Sequence, residues 1–195
     1  MKAILQRVLS ASVTVEKELV SSIGKGVLVF AAMAPGDTQK DAEFMAAKVL
    51  KMRLWDDDEG GRVCLGQWKR SVQDINGEVL CVSQFTLLAS TKKGTKPDFH
   101  GALGPEEARD LYQYFFSKVQ EGYDAKKVKD GVFQAMMEVA LVNDGPVRTL
   151  HITHLEPSLL TGIRSKVTLE ISTNQGQASK KAGQPQPNIK SKDSP

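Results

Sequence analysis

Cysteine is nearly absent from this chain: its 195 residues include only Cys64 and Cys81. Two distant thiols supply neither a disulfide framework nor a metal-ligand spacing, so a reducing, cytoplasmic setting is the expectation. Histidine is almost as scarce, and only His100 precedes residue 151. Neither a metal nor a cofactor is expected. Long apolar runs are also missing. No stretch approaches the roughly 20 residues that a membrane helix requires, and Met1-Lys2-Ala3-Ile4-Leu5-Gln6-Arg7 returns to charge too early for a signal peptide. No membrane role is expected.

A charge of one sign is lacking as well. The net +3 resides at the end of the chain, where Lys180, Lys181, Lys190 and Lys192 face only Asp193. Residues 1–173 balance at 22 basic and 22 acidic side chains. A nucleic-acid partner would therefore have to be met by a local basic patch, because the body has no global field to offer.

What remains is ordinary globular material, 41% apolar and 25% charged, enough for one core over residues 1–173. From 174 to 195 the composition turns to Gln, Ser, Lys, Gly and Pro without apolar periodicity, which predicts a disordered basic tail. Short β-branched runs predict strands at Ala11–Val15 and Glu18–Val20. Val27–Ala31 and Glu78–Phe85 are continuous apolar runs, as buried strands are, and the second follows an Asn76-Gly77 turn. Thr38 with Asp41 forms a capping-box pattern ahead of Ala42, Met45, Val49 and Met52 at helical spacing. Pro105, Glu106 and Glu107 suit a helix start, Ala108, Leu111, Phe115 and Val119 its apolar stripe, and Gly122 its end. Both stripes read as core. Phe133–Val142 is ambiguous by pattern, with the alternation near Val139 and Leu141 favouring a strand.

Three segments carry candidate chemistry. Ser83, Gln84, Phe85 and Thr86 close a buried strand, where backbone amides can converge on a developing oxyanion. Ser83 and Thr86 are also possible nucleophiles, but a hydroxyl needs a base and nothing local pairs His100 with either. The alternative is a strand end that merely happens to be rich in hydroxyls. Lys92, Lys93 and Lys96 surround Gly94 on a loop suited to phosphate contact, and Phe99 could stack on a base; a solvated basic loop is the bland counterpart. Asn143-Asp144-Gly145-Pro146-Val147 combines a rigid proline with a glycine that admits close approach, or is simply a turn.

Together these segments form a pattern. Ser83–Leu87, Gly94–His100, Lys129-Asp130-Gly131 and Asn143–Val147 resemble, in order and spacing, the D-aminoacyl-tRNA deacylases. Leu5–Val8, Ala11–Val13, Arg53–Trp55 and Trp68–Val72 extend the resemblance over residues 1–147, and Lys92–His100 is most similar to eukaryotic, particularly fungal, members. The resemblance implies an α/β fold of antiparallel-rich β-sheets forming a partly closed barrel flanked by helices. It implies hydrolysis of the ester of D-aminoacyl-tRNA, and of mischarged glycyl-tRNA, by a homodimer. It assigns oxyanion binding to the amides of the Ser83–Thr86 segment, chiefly those of Phe85 and Thr86. It assigns to Gly145 and Pro146, beside Asn143, a cis pair that enters the partner's pocket and excludes an L side chain. With no base evident for Thr86, activation through the 2′-OH of the terminal adenosine is preferred to a threonine nucleophile. A non-catalytic nucleic-acid-binding protein and an inactive isoform remain the alternatives.

The family pattern breaks once. Arg148 stands where Thr is expected, while Val167-Thr168-Leu169-Glu170-Ile171 resembles the missing ending. Residues 147–166 therefore read as an insertion whose ends are compatible with a retained in-frame intron: Val147-Arg148 can be encoded by GTACGT, and Lys166 can end in AG. His151 and His154 fall within it and do not suggest a metal site. Two segments then compete for the last strand, Thr149–Ile152 and the one beginning near Thr168.

Overall fold

The computed structural model describes residues 1–56, 68–92, 94–145 and 168–173. Lys93, Pro146, the suspected insertion and the basic tail lie outside the described residues.

Among the described residues, seven strands and two α-helices follow one another as β1 (Lys2–Val15), β2 (Glu18–Ile23), β3 (Gly26–Ala32), α1 (Gln39–Lys51), β4 (Glu78–Ser83), α2 (Pro105–Glu121), β5 (Val128–Asp130), β6 (Met137–Asn143) and β7 (Thr168–Ser172). β1 organises the sheet. Its second half, Ala11–Val15, lies between β2 and β6, and its first half, Lys2–Gln6, lies between β3 and β7, all four antiparallel to it. Parallel pairing carries the sheet on from β3 to β4 and then to β5. The result is the expected mixed, antiparallel-rich sheet, curled into a partly closed barrel with two helices against it.

The curl is written into β1. Ala3, Leu5 and Arg7 are buried on the face that meets the helices, and Val8 is buried on the opposite face. Register then shifts between Val8 and Ser10 opposite β6. This bulge at Leu9 puts Ala11 and Val13 on the same face as Val8, because one extra residue inverts the alternation. β1 thus serves two cores. The larger contains Val27, Val29, Met45, Val49, Tyr112 and Phe115 between sheet and helices. The smaller contains Val8, Val13, Leu28, Leu80 and Val82 inside the curl. β3 and β4 are buried on both faces, which explains their unbroken apolar runs. Their pairing begins where a Cβ on Gly26 would lie 1.8 Å from the Glu78 carbonyl oxygen, an approach only glycine permits.

The helices begin as their sequences dictate. The Asp41 carboxylate accepts from the Thr38 N–H at 2.9 Å and from its hydroxyl at 2.7 Å. Those bonds hold Asp41 below the usual carboxylate range. Pro105 occupies the first turn of α2, and Gly122 caps its end. Ala42, Met45 and Val49 are buried as the spacing requires, with Met52 half-buried past the last turn. The ambiguous Phe133–Val142 stretch contributes β6. Of the two segments competing for the last strand, Thr168–Ser172 takes the edge of β1, with Leu169 opposite Leu5.

Candidate active site

β4 ends by handing its chain to a tight turn. The Gln84 N–H donates to the Ala31 carbonyl at 2.8 Å, the last bond of the β3–β4 region. Phe85–Leu88 then form one 3-10 turn, in which Leu87 N–H returns to the Gln84 carbonyl at 3.2 Å. The amides of Phe85 and Thr86 come before the first bonded N–H of that turn, and no protein acceptor meets them among the described residues. Ser83 and Gln84 are half-buried, and Phe85 and Thr86 are exposed. Two unclaimed donors therefore stand together at the rim of the sheet.

The Thr86 hydroxyl is held by its neighbour. Its oxygen accepts from the Gln84 side-chain amide at 2.5 Å, and no base reaches it among the described residues. His100 is engaged elsewhere: its imidazole meets the Asp98 carboxylate, which also accepts the His100 backbone N–H at 3.0 Å. The Asp98 hydrogen bond raises the imidazole pKa, and the same two bonds hold Asp98 below the ordinary carboxylate range.

The basic loop is tied to this strand end by rings. Ser90 and Asp98 exchange backbone hydrogen bonds of 2.8 and 2.9 Å, closing the loop at its base. Phe99 then packs edge-to-face on Phe85, with centroids 5.3 Å apart. Lys92 and Lys96 are exposed on the loop so anchored. Lys93 is not among the described residues.

A second group forms where β6 ends. Asn143 accepts a hydrogen bond from the Gln6 amide and donates to the Gly145 carbonyl at 3.1 Å. Gly145 has φ 138°, a conformation that an L side chain would strain. Asp144 is buried: its N–H donates to the Arg7 carbonyl at 3.1 Å, and its carboxylate lies 3.1 Å from Arg7 Nε. Arg7 also donates to the Leu54 carbonyl at 2.7 Å and stacks on Trp55, 5.9 Å from the ring centre. Pro146, and with it the geometry of the Gly145-Pro146 peptide, falls outside the described residues. Within one chain no hydrogen bond, ion pair or ring contact joins this group to Ser83–Thr86 among the described residues.

Over residues 4–152 the chain matches the family model described as D-Tyr-tRNA(Tyr) deacylase. The chain belongs to that family. A D-aminoacyl-tRNA deacylase of Yarrowia lipolytica is 50% identical over 148 residues, 75% of this chain and 94% of that protein. One of Drosophila melanogaster is 49% identical over 147 residues, 75% of this chain and 89% of its own length. Among solved structures, a c-Myc DNA Unwinding Element Binding Protein is 39% identical with TM-score 0.73, covering 89% of this chain and 99% of its own. A probable eukaryotic D-amino acid tRNA deacylase, 18% identical with TM-score 0.63, covers 74% of this chain and 95% of its own and shares the fold. The deacylase family match ends at Ile152, ahead of β7.

Arg7, Gln6 and Asp144 were given no role from sequence. The available signal was an arginine in phase with buried Ala3 and Leu5, a charge on the core face of an alternating strand. Such a charge requires a buried partner, but which of 22 carboxylates it meets is set by the β1–β6 register.

Proposed function

We propose that this chain hydrolyses the ester joining a D-amino acid to the 3′ end of tRNA, releasing free tRNA and the amino acid. The observation that carries the reading is the pair of unclaimed amides at Phe85 and Thr86, at the end of a strand whose Ser83-Gln84-Phe85-Thr86 follows the family pattern. An ester carbonyl seated there gains negative charge as it becomes tetrahedral, and fixed amides stabilise that charge without reorganising. In other hydrolases each such donor contributes about 10²–10³ in rate. Activation comes through the 2′-OH of the terminal adenosine, since Thr86 lacks a base. Ser83 and Gln84 shape the pocket, and Lys92, Lys93 and Lys96 hold phosphates.

Chiral selection falls to Asn143, Gly145 and Pro146, which leave no room for an L side chain. Glycine has no side chain to exclude, so mischarged glycyl-tRNA is a second substrate. The enzyme works as a cytoplasmic homodimer in which this group enters the partner's pocket. Exposed Leu9, Leu141 and Val142 beside Asn143 support that reading, because they are apolar residues in need of a cover.

The deciding experiment compares hydrolysis of D-Tyr-tRNA and L-Tyr-tRNA. Cleavage of the D-ester alone is expected. Binding of tRNA or DNA with no hydrolysis of either ester would favour a non-catalytic nucleic-acid-binding protein, a reading to which the solved DNA-element-binding relative lends weight.

A further inference from the structure

Beside α1, lined by none of the Ser83–Thr86 or Asn143–Gly145 residues, lies a cleft of about 450 Å³. Phe44 and Lys48 flank it from the helix, Lys51, Met52 and Arg53 from the helix end, and Trp68 from the returning chain. Its composition is unusual for this protein. Phe44 is 49% exposed and Trp68 39%, although large aromatics normally go inside. Three cations share the cleft with them, and none of its lining residues is acidic.

Among the described residues, Asp56 accepts the Trp68 N–H at 3.2 Å, Glu43 accepts the Tyr114 hydroxyl at 2.6 Å, and Asp74, which feels the Arg53 charge, accepts from the Ser71 N–H and hydroxyl. Lys48 sits 5.4 Å from the Phe44 ring centre. Lysines in a last helical turn balance the helix dipole, which explains Lys48 and Lys51 by themselves. It explains neither the two rings left in water nor Arg53 beyond the helix.

Rings and cations together match an unstacked nucleotide. A base has a π-face for Phe44 or Trp68, and the phosphates on either side carry charge opposite to that of Lys48, Lys51 and Arg53. Residues 1–173 as a whole are neutral, so this is a local field of the kind nucleic-acid contact demands. We propose that the α1 cleft is a second tRNA contact, holding one unstacked nucleotide and its flanking phosphates away from the aminoacylated end. The choice of tRNA as ligand rests on the functional reading above. Because the cleft touches none of the Ser83–Thr86 or Asn143–Gly145 residues, it adds binding to the whole tRNA without touching the reacting ester.

The test measures binding of deacylated tRNA to the full chain and two variants across salt concentrations. Lys48→Gln/Lys51→Gln/Arg53→Gln is expected to weaken binding at least tenfold near 0.1 M salt. It should also reduce the log–log salt slope by about 2, since each phosphate contact contributes about 0.7–0.9. Phe44→Ala/Trp68→Ala should weaken binding at least fivefold and leave the slope unchanged. All five substituted residues are exposed, and thermal melts check that the variants fold. Wild-type tryptophan emission should be quenched by tRNA through Trp68, because Trp55 is 4% exposed.

For D-Tyr-tRNA the variants should raise KM at constant kcat, while D-Tyr-adenosine is hydrolysed at the wild-type rate. Unchanged affinity and slope in both variants would overturn the proposal even if wild-type hydrolysis is intact. Conversely, if wild type hydrolyses nothing while the variants still lose tRNA binding, the cleft stands and the deacylase reading falls.

Discussion

Arg7 and Asp144 form an ion pair at 3.1 Å with side chains 5% and 7% exposed, one residue before Gly145. The Arg7 Nε–H is not well aligned on the carboxylate, so charge more than hydrogen-bond geometry holds the two together. Asp144 is thereby fixed to β1 through both backbone and side chain, and Gly145 leaves the sheet from a rigid base.

Removing one partner strands the other charge in the core. Arg7→Met is expected to cost about 3–5 kcal/mol in urea unfolding. Arg7→Met/Asp144→Leu should recover most of that loss, since apolar replacement of a buried pair is often near neutral. A double variant as unstable as the single one would show that the pair is not the source of the loss. The stable double variant should also cleave D-Tyr-tRNA with weaker discrimination against the L-ester, because Gly145 loses its anchor.

β6 and β7 follow one another on the side of β1 away from β3, with Asn143 opposite Val8 and Thr168 opposite Gln6. The Gln6 side chain bridges the seam, donating to Asn143 and accepting from Thr168. Deleting Val147–Lys166 shortens the link between the strands from 24 residues to 4. It should leave the fold intact and stabilise it by roughly 1.5 kcal/mol of closure entropy. Thermal melts check this, and a deletion variant that fails to fold would refute it. Hydrolysis of D- and L-Tyr-tRNA by both forms then separates a tolerated insertion from an inactivating one. RT-PCR that finds only the longer message would remove the retained-intron reading.

Thr86→Val keeps the backbone amide and removes the hydroxyl. If the amide is what matters, D-Tyr-tRNA hydrolysis should fall by less than about tenfold. A loss beyond about 10³ would instead mark the hydroxyl as a nucleophile.

Asp130 supplies a pH signature. Burial pushes its carboxyl up, and hydrogen bonds from Tyr112 and the Gly131 amide pull it back only in part. Between the unfolded carboxylate value of about 3.9 and that raised value, the folded chain binds more protons than the unfolded one. Stability therefore falls as pH rises through this window. Asp130→Asn keeps an oxygen for Tyr112 and abolishes the titration. Urea midpoints at about pH 4 and pH 6 should drop more in wild type than in the variant; parallel midpoints would refute the assignment.

Elements with strong local signals were legible from sequence. The Thr38–Asp41 cap, Pro105, Gly122 and the apolar runs of β3 and β4 act within a few residues of themselves. The first half of β1 was not read as a strand, because Lys2, Gln6 and Arg7 interrupt it and its partners lie far along the chain. β5, three residues long, offers no pattern, yet it brings Asp130 to Tyr112. The strand-end segment stood out as the close of a buried apolar run, and the resemblance gave it a role; that its amides are unclaimed is a property of the backbone. Phe44 fits the α1 periodicity poorly, but only the path of Trp68 and Arg53 turns that misfit into a cleft.

The pairing of Leu5 with Leu169 sets an order of events during synthesis. β1 is synthesised before β7, with β2 to β6 made in between. Until β7 is made the edge formed by Lys2–Gln6 stands open, with backbone donors and acceptors available to any strand nearby. Closing so distant a pair is slow, and a nascent or truncated chain is most exposed to aggregation during that interval. Each residue added between β6 and β7 lengthens the wait.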